Sequence, residues 1–65
     1  MTLSDFEALK IGDYVYLSGK NQENDLYVVL DDYAWGPPLK VCLVENKAGE
    51  QCQISTGNFK YWERA

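Results

Sequence analysis

Four acids, Glu23, Asp25, Asp31 and Asp32, fall within ten residues that carry no base, and Tyr33 and Trp35 follow directly. Carboxylates beside exposed rings attract cations, by Coulomb attraction and through the negative face of the π-system. That chemistry recognises a basic segment of another protein. A proline-containing segment also docks on tyrosine and tryptophan surfaces. Tyr14, Tyr16 and Trp62 are surplus rings of the same kind, because so short a chain has core space for only a few. The expected partner-binding set is therefore Tyr14, Tyr16, Asp31, Asp32, Tyr33, Trp35 and Trp62.

Catalysis is poorly provided for. The chain has no histidine, the commonest general base. Cys42 and Cys52 thus have no imidazole to activate them as nucleophiles, nor one to complete a zinc set. Asp31 and Asp32 are neighbours, so on a strand they point to opposite faces and cannot share a proton. Gly36-Pro37-Pro38 is a rigid turn and not a phosphate loop. Glu23, Asn24 and Asp25 offer oxygen ligands without the spacing of a calcium loop. The expectation is a binding module, not an enzyme, with no cofactor and no metal.

Ten acids oppose six bases, for a net charge of −4. Phosphates repel such a chain unless its bases cluster, and Lys10, Lys20, Lys40, Lys47, Lys60 and Arg64 are scattered. This argues against nucleic acid as the partner. No apolar run approaches the ~20 residues that span a bilayer, and nothing at the N-terminus reads as a signal peptide. Small secreted domains usually carry more than two cysteines. The expected location is cytoplasmic, without membrane contact, and homo-oligomerisation is left open.

The elements that must position these residues are short. Sixty-five residues make one domain, 1–65, that buries only about 60% of its unfolded surface. Ser4 and Glu7 have the spacing of a capping box, and Phe6 and Leu9 share a helical face. One or two helical turns are expected before Gly12. Period-two runs follow, rich in β-branched and aromatic residues. They lie at 14–17, 26–30 with a continuation to Trp35, 39–45, 50–55 and 59–64. A bulge, bend or edge is expected at Asp31-Asp32. The expected core is Phe6 and Phe59 with Val15, Leu17, Val28, Leu30, Val41, Leu43, Cys52 and Ile54. Matching apolar to apolar pairs Val41 with Ile54 and Leu43 with Cys52. That leaves Cys42 on the outer face and sets Glu45 against Glu50. An all-β fold of five strands with a short N-terminal helical turn follows, and closure into a barrel would remove its edges.

Ile11-Gly12-Asp13-Tyr14-Val15 resembles the opening of many SH3-like barrels, including KOW and Tudor-like modules. Glycine permits the tight entry into the strand, and the aspartate bonds nearby N–H groups. Asn58-Phe59 followed by Glu63 is similar to the endings of PsaE-like accessory subunits. These resemblances imply a five-stranded SH3-like barrel acting as an adaptor, accessory subunit or inhibitor, or as a KOW- or Tudor-like nucleic-acid-associated module. The plasmid-type dihydrofolate reductases share this outline and would imply a subunit of an oligomeric enzyme. Against their Val-Gln-Ile-Tyr run, Gln53 and Ile54 agree, while Cys52 and Ser55 depart.

Overall fold

The computed structural model describes residues 1–20, 23–36 and 39–65. A helical turn α1 (Leu3–Ala8) precedes β1 (Tyr14–Leu17), β2 (Tyr27–Gly36), β3 (Leu39–Asn46) and β4 (Gln51–Ser55). A 3₁₀ turn (Phe59–Tyr61) leads into β5 (Trp62–Arg64). The strands form one antiparallel sheet in the order β4-β3-β2-β1-β5. The fold is all-β with a short N-terminal helical turn. The curled sheet has a concave face closed by α1 and the 3₁₀ turn, and an outer face open to solvent.

The helix starts two residues before the expected cap. Thr2 Oγ1 accepts from the Asp5 N–H at 3.2 Å, and Asp5 Oδ2 accepts from the Thr2 N–H at 3.4 Å. The Ser4–Glu7 box is not the one used. Starting at Thr2 lets α1 end at Leu9, which turns extended and is buried with Phe6. Gly12, at φ +95°, then makes the entry into β1, and Asp13 Oδ2 accepts from the Lys10 N–H at 2.9 Å. Both roles expected of Gly12-Asp13 are filled.

Burial converges on Phe6, Leu9, Val15, Val29, Cys42, Val44, Ile54 and Trp62. Met1, Leu17, Tyr27, Cys52 and Phe59 pack against them. Phe6 stacks on Phe59 with ring centroids 5.4 Å apart, and Tyr27 meets Trp62 edge-on at 5.1 Å. Lys40 fastens the helix to the sheet. Its Nζ donates to the carbonyls of Glu7 and Leu9, both at 2.8 Å, and lies 3.6 Å from Asp32 Oδ2. A cation at a helix C-terminus satisfies carbonyls that have no intrahelical partner.

Four of the ten expected core residues lie on the other face. Val28, Leu30, Val41 and Leu43 are not buried, and Val29, Cys42 and Val44 take their place. Pairing Val15 with Tyr27 carries the inward face of β1 onto Tyr27 and Val29 and so turns Val28 and Leu30 outward, and two local features shape the rest. Leu30 is an extra residue in β2, between the pairs Val29–Val44 and Asp31–Leu43. A bulge of this kind flips the facing of the residues beyond it. It sits next to the paired acids, where an irregularity was expected.

The second feature is the β3–β4 turn. Asn46 Oδ1 accepts from the N–H of Ala48 at 3.0 Å and of Glu50 at 2.9 Å. Gly49, at φ +84°, donates to the Asn46 carbonyl. A three-residue hairpin loop ending on a left-handed glycine is a standard turn, and it sets Asn46 against Glu50. Cys42 then pairs with Ile54, Val44 with Cys52 and Glu45 with Gln51. The expected register, Val41 with Ile54, is off by one residue. Turn chemistry outweighed apolar matching here, because β3 is apolar on both faces. The actual register also replaces the expected Glu45–Glu50 opposition by a glutamine.

Both cysteines are free thiols on the concave side, so Cys42 is not an outer-face residue. Burial pushes the Cys42 thiol up to about 11 from its ordinary 9.0, with nearby Lys40 acting against this and Asp32 with it. An unfolded thiol ionises first, so this contribution to stability is intact below pH 9 and is lost as pH rises toward 11. With a chromogenic thiol reagent at neutral pH, Cys52 is expected to react first and Cys42 only at the unfolding rate. Fast labelling of Cys42 in the native protein would contradict its burial.

Candidate interaction face

The outer face is built row by row across the strands. Tyr14 on β1 stands opposite Val28 on β2, Val28 opposite Glu45 on β3, and Glu45 opposite Gln51 on β4. Asp31 is opposite Leu43 and Tyr33 opposite Val41. The face therefore sets Val28, Val41 and Leu43 beside the rings of Tyr14 and Tyr33 and the carboxylates of Asp31 and Glu45. The Leu30 bulge widens it, leaving that side chain 39% exposed.

A groove of about 490 Å³ opens at one end of this face. Tyr14, Leu26 and Val28 give it apolar walls, and Glu45 and Glu23 bring carboxylates. Lys47 from the β3–β4 turn is at its rim. Tyr14 is 54% exposed. The Glu45 carboxylate accepts a long contact, 3.5 Å, from Gln51 Nε2. An apolar stem ending in a cation matches such a lining, since long basic side chains lay their methylenes on apolar surface and keep the charge outside.

Farther along, the Tyr33 hydroxyl donates to Asp31 Oδ2 at 2.7 Å. That bond and the carboxylate's charge raise the Tyr33 phenol above its ordinary value, so it stays protonated and holds the ring in place. Tyr16 is part-exposed on the same face, opposite Glu63. Tyr14, Tyr16, Asp31 and Tyr33 thus share one surface.

Two of the expected residues do not join it. Asp32 points to the concave side, paired with Lys40 beneath the helix, and its Oδ1 is buried without a hydrogen bond among the described residues. Adjacent acids on one strand diverge, as their alternation requires. Trp62 is only 3% exposed and belongs to the core, while Tyr61 beside it is 58% exposed. The 3₁₀ turn decides between these neighbours by bringing Trp62 into β5 facing inward. The side chain of Trp35, together with Pro37 and Pro38, lies outside the described residues.

Leu26, Val28 and Glu45 are groove residues that alternation in the sequence assigned elsewhere or passed over. The Asn46-Lys47-Ala48-Gly49 turn was the signal that would have found them, because it sets the register. Among the described residues, no group of three or more Cys, Asp or Glu side chains is placed to hold a metal ion. No helix among them is long and apolar enough to cross a membrane. No protein-family model, curated protein or solved structure matches the chain.

Proposed function

We propose that this chain is a small non-enzymatic protein-binding module of the SH3-like barrel type, whose outer sheet face takes a basic segment of another protein. The strand order and the helical plug are compatible with that barrel. The observation that carries the binding reading is the groove, where Tyr14, Leu26 and Val28 meet Glu45 on a face that the domain leaves uncovered. Exposed apolar surface rimmed by polar groups marks interaction sites, and acids beside rings favour a cationic partner. The lack of histidine and the divergence of Asp31 from Asp32 support a role without catalysis. Two free thiols suit a reducing compartment such as the cytoplasm.

The test is an NMR titration with an arginine- and proline-containing peptide, its glutamate-substituted counterpart, and single-stranded RNA. Amide shifts are expected at Tyr14, Val28 and Glu45 with the basic peptide alone. Glu45→Lys and Tyr14→Ala should each weaken binding about tenfold, the equivalent of ~1.4 kcal/mol. Shifts confined to α1, or binding indifferent to Glu45→Lys, would rule this site out. Shifts with RNA that weaken steeply with salt would point to the nucleic-acid reading instead.

A further inference from the structure

Strand β4 is an edge of the sheet. The turn makes Asn46 and Glu50 a hydrogen-bonded pair, and such pairs alternate along an antiparallel ladder. The backbone groups of Cys52 and Ile54 therefore face β3. Those of Gln51, Gln53 and Ser55 face the open side. An open row of this kind pairs with another strand unless charge, proline or a cover prevents it. Residues 51–55 carry no charge and no proline.

One residue supplies the cover. Asn58 Oδ1 accepts from the Ser55 N–H at 2.7 Å, and Asn58 Nδ2 donates to the Gln53 carbonyl at 2.9 Å. The Asn58 backbone N–H donates to the Ser55 carbonyl at 3.1 Å. A carboxamide carries both a donor and an acceptor, and here it fills the places that the N–H and C=O of one residue on a neighbouring strand would take. Asn58 is itself only part-buried, and its bond to the Gln53 carbonyl lies at the surface.

We propose that the β4 edge is a strand-pairing site for a second copy of this chain, and that the Asn58 carboxamide holds it closed. Antiparallel pairing about a two-fold axis at Gln53 sets Gln53 against its own counterpart, Gln51 against Ser55 and Cys52 against Ile54. The apolar side chains then meet on the concave face, and neutral amides and hydroxyls meet on the outer one. No like charges are opposed. Such a contact is self-complementary and closes at two copies. A basic segment gains nothing from this neutral edge, which separates it from the groove.

Light scattering on the full chain tests the proposal. The wild type is expected at single-chain mass at concentrations where Asn58→Ala has doubled its mass. Adding Gln53→Lys to Asn58→Ala puts two cations face to face on the axis and should restore the single-chain mass. A folded Asn58→Ala that keeps the single-chain mass at millimolar concentration overturns the proposal. So does a doubled mass that survives Gln53→Lys, or a wild type that is already doubled. Should Asn58→Ala fail to fold, Asn58→Asp replaces it, keeping the acceptor for Ser55 and losing the donor for Gln53, with the same readings. If neither folds, Asn58 belongs to the fold and not to a gate, and the proposal falls.

Discussion

Trp62→Ala is expected to cost about 3–5 kcal/mol, the usual loss for emptying a buried aromatic site. The ring is almost fully enclosed and meets Tyr27 edge-on. A domain of this length holds only ~3–10 kcal/mol of stability in total, at roughly 0.05–0.15 kcal/mol per residue. The variant should therefore melt tens of degrees lower, since each kcal/mol shifts Tm by about 4–8 °C in domains this small. Tyr61→Ala, one residue earlier, should stay within about 0.5 kcal/mol of the wild type, because its ring faces solvent. Thermal melts of the two variants read this contrast directly. Equal losses would mean that Trp62 is not the ring in the core.

The second large effect is expected at Lys40. Lys40→Met removes the donor to two helix carbonyls and the only cation recorded beside Asp32 among the described residues. Breaking a buried pair on one side costs roughly 3–5 kcal/mol, because the remaining charge is stranded. The Asp32 side chain keeps 27% of its exposure, so water screens part of that loss and about 2–3 kcal/mol is the expected cost. Adding Asp32→Asn to Lys40→Met should recover about 1 kcal/mol, since the stranded charge disappears. Urea unfolding of the two single variants and the double variant measures the coupling. A Lys40→Met variant as stable as the wild type would show that α1 is held by Phe6 and Leu9 alone.

Both predictions concern residues whose surroundings were not visible in their types. Trp62 and Tyr61 are adjacent rings, and one of them had to leave the core. Nothing in the pair itself says which, because the choice is made by the 3₁₀ turn that precedes β5. Asp32 and Lys40 are ordinary surface residues by composition. They meet because the Leu30 bulge turns Asp32 to the concave side and the sheet brings it beneath the end of α1. Tyr14, Tyr16, Asp31 and Tyr33, by contrast, follow simple alternation on β1 and on β2 beyond its bulge, and they share the outer face.

The sequence by itself determined the fold class. Period-two runs rich in β-branched and aromatic residues dictate strands, and Gly12-Asp13 dictates the entry into the first. Local chemistry suffices for these, since each depends on residues a few positions apart. Only the tertiary structure decided which face of each strand became core. In β3 apolar residues run along both faces, so hydrophobicity carries no preference. The pairing of Val15 with Tyr27 and of Val29 with Val44, one left-handed glycine in a turn and one extra residue in β2 settle the facing instead. The outer groove, and with it the proposed binding face, is a consequence of that strand pairing.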